Sequence, residues 1–242
     1  MCSSDLILVL IVGLIAGAVS GVIGTGSSIM LLPVLVHAFG PKQAVPIMAV
    51  AAVIGNGGRV LAWWREVDWR AVAAYTLPGA PAAALGARTL WVMPAHAVDI
   101  ALGLFFILMV PTRHWLRRRQ WHLRLWQLAL AGAVIGFLTG VVLSTGPLSV
   151  PAFSAYGLVK GAFLATEAAS SLILYVSKVL MFSELGALPL ELAFKGLIVG
   201  ASLTAGAFIG KAFVLRLPAA LFERLLDALL LLSGLAMLAA AW

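Results

Sequence analysis

The sequence predicts an all-α polytopic membrane protein built of two homologous repeats. Each repeat is a broken or re-entrant helix pair followed by three transmembrane helices. Three observations carry this. First, 63% of the 242 residues are hydrophobic and only 10% are charged, whereas a soluble domain holds about 25% charged residues. A soluble protein of this size could not hide so much apolar surface, so lipid must be the solvent. Second, the apolar runs recur at lengths near the roughly 20 residues that cross a hydrocarbon core. Third, the landmarks of the first half return in order in the second. The expected units are 1–110 for the first repeat, 111–124 for a basic linker and 125–242 for the second repeat.

Leu6 to Ile23 opens the chain as a retained transmembrane helix rather than a signal peptide, since it has no basic leader and no clear cleavage site. Gly13, Gly17 and Gly21 recur every fourth residue. That spacing gives the helix one small face on which a neighbour can lie close. The run Gly24-Thr25-Gly26-Ser27-Ser28 then interrupts the apolar segment. Glycine is a poor helix former, and serine competes for the backbone, so the helix should break near Thr25 and restart near Ser27 or Ser28. Ile29 to Phe39 is too short for a full crossing, and Gly40-Pro41 ends it.

Gln43 to Trp64 is the next span, with Asn56 near its middle and Arg59 one turn further on the same side. Arg65, Glu66, Asp68 and Arg70 mark a wet turn flanked by interfacial tryptophans. Ala71 to Leu90 follows, expected to kink at Pro78 and Pro81, and Pro94 starts a span running to about Val110. Pro111 to Arg124 carries Arg113, Arg117, Arg118, Arg119 and Arg124, which the positive-inside rule places in the cytoplasm. The formal charge of +7 is accounted for by such loops facing anionic lipid, in part by attraction of an anionic solute, and not by nucleic acid.

The second half runs Leu125 to Leu143, a break at Ser144-Thr145-Gly146-Pro147, Leu148 to Tyr156, Ala162 to Phe182, Leu190 to Phe213 and Pro218 to Trp242. Gly132, Gly136 and Gly140 lie 119 residues after Gly13, Gly17 and Gly21, Pro151 lies 118 after Pro33, and Gly210 lies 124 after Gly86. Ordered offsets with so little drift argue for duplication. The repeats are parallel if each broken pair makes one net crossing and inverted if it makes two. Inversion puts Lys160, Lys211 and Arg216 inside against Lys178 and Lys195 outside, while the short second pieces speak for the parallel form.

Two broken apolar segments in corresponding places point to a transporter's binding site. A restarted helix presents unpaired backbone N–H groups with a partial positive charge, which suits an anion. The expected binding residues are Thr25, Gly26, Ser27, Ser28, Asn56, Arg59, Ser144, Thr145, Gly146 and Ser149. For the glycines spaced by four, plain helix packing is the simpler reading. Asn56 has an interhelical hydrogen bond as its alternative, and Arg59 and Lys178 have snorkelling to the interface. Glu167 is an embedded carboxylate, and such a group is a functional candidate by default. Glu167 and Lys178 are therefore candidates for coupling or charge pairing, with Arg59 or Lys178 as partner to Glu167. No catalytic pair, metal spacing or cofactor motif appears, so the chain is read as a non-enzyme without a cofactor. Its partners are a small anionic solute, the bilayer and a coupling proton or cation. An anion channel on the same scaffold is the second reading, and a membrane-embedded enzyme is a distant third.

The run Gly13-xxx-Gly17-xxx-Gly21-xx-Gly24-Thr25-Gly26, then Leu32-Pro33-Val34-Leu35 and Lys42-Gln43-Ala44, resembles the TauE/SafE family of sulfite-exporter-like permeases. Its second copy is Gly132-xxx-Gly136-xxx-Gly140, Val150-Pro151 and Lys160-Gly161-Ala162. The resemblance implies secondary transport of small anions, often sulfite or organosulfonates, across a bacterial inner membrane. Ser27 and Ser28 stand where the family usually continues with glycines, which suggests a narrower and more polar site.

Overall fold

A computed structural model describes residues 11–15, 17, 31, 34–36, 38–118, 122–142, 146–214, 224, 227–228, 230–232, 234–235 and 238–239. Among these residues the regular structure is helical, without a strand. Seven helices are laid out: α1 (Pro41–Trp63), α2 (Trp69–Val92), α3 (Ala95–Arg118), α4 (Leu125–Val141), α5 (Gly146–Tyr156), α6 (Lys160–Glu184) and α7 (Leu190–Val214). The first break, with Thr25, Gly26, Ser27 and Ser28, lies outside the described residues, as do Ser144 and Thr145 of the second.

Local chemistry sets most of these ends. Pro41 begins α1 in the first turn, where its missing N–H has no partner to lose. The Asp68 carboxylate caps α2 by accepting from the Arg70 and Ala71 amides at 3.0 and 3.1 Å. Helices α5 and α6 both end in a left-handed glycine. At Gly157 (φ 103°) Leu158 N–H reaches back to the Phe153 carbonyl, and at Gly186 (φ 67°) Ala187 N–H reaches the Phe182 carbonyl. Such ends satisfy carbonyls that a helix C-terminus otherwise leaves open.

Helix α2 holds Pro78 and Pro81 within one helical run, as a single span requires, and one helix runs further than the sequence suggests. Helix α3 passes Pro111 and runs to Arg118, the last residue described there, so the basic stretch begins as helix. There Thr112 Oγ1 donates to the Leu108 carbonyl at 2.7 Å and His114 Nδ1 to the Val110 carbonyl at 2.8 Å. These side-chain bonds support the turn around the proline.

Contacts fix the relative directions of the helices. Gly132, Gly136 and Gly140 of α4 lie against the backbone of Tyr75, Gly79 and Ala83 of α2, so α2 and α4 run the same way. Gly196 and Gly200 of α7 meet Ile47 and Ala51 of α1, again in the same direction. Helices α1 and α6 run oppositely: Arg59 meets Glu167 while Glu66, just past α1, meets Gly161. Helix α5 turns back along α4, because Leu123 N–H donates to the Ala155 carbonyl at 2.8 Å. Its 11 residues span only about 16 Å, roughly half the hydrocarbon core.

Helices α1 and α6 form the central pair. Both are long and apolar enough to cross a membrane. Both are lined with buried residues, Ala44, Met48, Ala51 and Ala52 on α1 and Ala165, Ala168 and Ala169 on α6. On the outside, Leu77, Leu85, Val134, Leu180 and Leu190 are exposed. A band of exposed large apolar side chains on helices of this length is what a lipid-facing surface requires.

Candidate functional site

The polar residues of α1, α5 and α6 converge at one place. Arg59 and Asn56 sit one turn apart on α1, and a hydrogen bond joins the guanidinium to the Asn56 amide oxygen. The Asn56 nitrogen in turn donates to the Ala52 carbonyl at 2.8 Å. Arg59 Nη1 reaches the Glu167 carboxylate of α6 at 3.2 Å. Glu167 lies deep, with its side chain 4% exposed against 24% for Arg59. The other carboxylate oxygen accepts from Ser171 Oγ at 2.9 Å and from Ser149 Oγ at 3.2 Å. Ser149 belongs to the short helix α5, and its hydroxyl also lies 3.3 Å from the Gly146 carbonyl. One carboxylate therefore ties three helices together beside the second break.

Among the expected site residues, the structure brings together Asn56, Arg59, Gly146, Ser149 and Glu167. It answers the choice of partner for Glu167: Arg59 takes it. Asn56 bonds to Ala52 and Arg59 of its own helix, not across helices as its alternative reading had it.

Lys178 does something else. It is fully buried, so snorkelling is excluded, and its ammonium donates to the Thr139 and Val142 carbonyls at 2.7 and 2.9 Å. Those are the last carbonyls of α4, where the helix breaks. A cation satisfies such open carbonyls and meets the negative end of the helix dipole. The Phe182 ring lies 5.7 Å from the same ammonium.

Three contributors were not singled out from the sequence. Ser171 could have been found, since it stands four residues after Glu167 and shares its helix face. Thr166, whose hydroxyl accepts from the Asp68 amide at 2.9 Å, left no such signal. Neither did Ser170, fully buried one turn from Glu167. Away from this cluster, His114 lies 3.4 Å from Asp227, joining α3 to the last segment of the chain. No group of His, Cys, Asp or Glu suited to a metal occurs among the described residues.

Long helices with apolar exteriors, around a paired charge and a half-length helix, define a polytopic membrane transport protein. The model of the family described as Sulfite exporter TauE/SafE matches residues 9–237, nearly the whole chain. The chain belongs to that family, whose members are membrane transporters and not enzymes. No curated protein and no solved structure matches it.

Proposed function

We propose that this chain is a secondary transporter of a small anion, of the sulfite or organosulfonate type, bound beside the helix breaks with Arg59 as its charged anchor. The observation that carries the reading is the Arg59 guanidinium paired with the buried Glu167 carboxylate, to which Ser149 of the short helix α5 also donates. An intramembrane arginine is retained where it meets a solute or a partner charge, and its planar fork suits the oxygens of an oxyanion. Asn56, Ser149 and the first turn of α5 at Gly146 supply further donors. Thr25, Ser27, Ser28, Ser144 and Thr145 complete the proposed site from the two breaks.

We read the chain as two inverted repeats, 1–110 and 125–242. The support is that α1 and α6, which hold corresponding places 118 or so residues apart, run in opposite directions. In addition, Gly17 meets the Leu203 carbonyl as Gly136 meets that of Gly79. Position 203 lies 124 residues after 79, the same offset that relates Gly210 to Gly86. The α4–α5 turn-back gives the second repeat the two crossings that inversion needs, although α5 is short. The 111–124 linker is then cytoplasmic in a bacterial inner membrane.

Transport of sulfite or methanesulfonate into proteoliposomes tests the site. Arg59→Gln and Ser27→Leu proteins should insert and fold yet lose more than about tenfold in rate, as when one anchoring contact worth a few kcal/mol is removed. Full transport by the Arg59→Gln protein overturns the assignment.

A further inference from the structure

Glu167 places carboxylate oxygens against the donors an incoming anion needs: Arg59 on one side, Ser149 and Ser171 on the other. One turn along α6, on the flank where Thr166 meets Asp68 and Ser177 donates to the Ala80 carbonyl of α2, Ser170 is completely buried and its hydroxyl has no hydrogen-bond partner among the described residues. The antiparallel register, Glu66 on Gly161 and Arg59 on Glu167, puts the Asn56 turn of α1 at the level of the Ser170 turn of α6. A buried hydroxyl left unpaired costs about 1–3 kcal/mol. It is an unused donor beside a site already filled by the protein's own carboxylate.

We propose that Glu167 is a built-in stand-in for the solute, and that the solute anion takes its place on Arg59 while gaining the idle Ser170 hydroxyl as an additional donor. The proposal rests on the reading of Arg59 as the anion anchor. When the anion displaces it, the carboxylate loses its counter-charge in a place where bare charge is strongly disfavoured. It takes one proton from water and becomes a neutral acid that can still bond Ser149 or Ser171. One monovalent anion enters with one proton, and no net charge is added. Among the described residues, the other ionisable groups near Glu167 are Tyr75 of α2 and, toward the start of α6, Glu66 at Gly161 and Asp68 at Thr166. None of them donates to the carboxylate.

The liganded protein thus holds one more proton than the free protein, so affinity rises as pH falls. The probe is methanesulfonate, which stays a monoanion throughout, titrated into the intact chain in detergent at mildly acidic and mildly alkaline pH. The wild-type affinity should rise by up to about tenfold per unit fall in pH, the limit for one linked proton. Glu167→Gln, a neutral mimic of the acid, should bind without pH dependence and at least as tightly as the wild type at alkaline pH. Ser170→Ala should bind about tenfold more weakly while the ligand-free protein unfolds at a higher temperature, because an unpaired buried hydroxyl is gone. A purely structural serine would not move the two readouts in opposite senses.

A wild-type affinity independent of pH, or a slope that survives in Glu167→Gln, overturns the exchange. An unchanged affinity in Ser170→Ala removes Ser170 from the site. If instead Arg59→Gln binds methanesulfonate as the wild type does, the anchor itself is wrong, a different result from failure of the exchange.

Discussion

Deleting one member of the Arg59–Glu167 pair strands the other charge, whereas deleting both leaves only a gap to be filled. Arg59→Met or Glu167→Met alone should therefore lower stability by about 3 kcal/mol, and the double replacement should cost less than either single one. Reversible unfolding in detergent measures the cycle, and simple additivity would mean that the pair contributes nothing. The sequence already named these two residues, and offered Arg59 and Lys178 as alternatives for Glu167. It could not choose, because periodicity assigns a residue to a face of its own helix and says nothing about which helix lies opposite. The role of Lys178 was harder still to read. Its partners are the carbonyls of Thr139 and Val142, and a backbone carbonyl looks alike in every residue.

At the scale of the helices, the close seams are made by glycines whose spacing was plain in the sequence. A Cβ added to Gly136 would stand 2.3 Å from the Gly79 carbonyl oxygen, and one added to Gly140 would stand 2.3 Å from that of Ala83. These are backbone atoms, so no side chain can move aside. Gly136→Ala should force α2 and α4 apart and cost about 1–3 kcal/mol, as overpacking does. Thermal unfolding of the purified protein measures this, and an unchanged midpoint would mean that the seam yields freely. Helix packing was the simpler reading of this glycine stripe, and the geometry bears it out for Gly132, Gly136 and Gly140. The spans themselves were legible to within a few residues. Those that were misjudged sit at Pro111 and Gly146. A proline marks a strong local preference that neighbouring side-chain bonds can offset. A glycine before a proline can serve equally well as the end of a loop or the first turn of a helix.

For the whole molecule, the helix directions sort the charges. The turn with Arg65 and Arg70, the end of α3 at Arg117 and Arg118, Arg124 and the start of α6 at Lys160 share one side. Lys42, Arg88 and Lys195 lie toward the other, the two lysines each with the ammonium near an aromatic ring: Trp91 at 5.7 Å and Phe39 at 5.2 Å. By the positive-inside rule, the orientation proposed above puts this basic side in the cytoplasm. In a Cys2→Ser background, a cysteine placed at Arg70 should resist a membrane-impermeant maleimide applied to intact cells, and one placed at Glu184 should react. Equal labelling of both would contradict the orientation. Direction was the part of the architecture least accessible from the sequence, because it turned on whether a piece as short as α5 doubles back.

The close glycine contacts have a mechanical corollary. Gly132, Gly136 and Gly140 grip α2, Gly196 and Gly200 grip α1, Gly17 meets Leu203, and Gly103 meets Gly234. Every one of these joins a residue before the linker to a residue after it. The two halves are clasped through each other like interlaced fingers, not laid side by side like two shells. A cycle that swung one half as a rigid body against the other would tear backbone from backbone along all of these seams at once. Moving parts that kept these seams whole would each be drawn from both halves, α2 together with α4 and α1 together with α7.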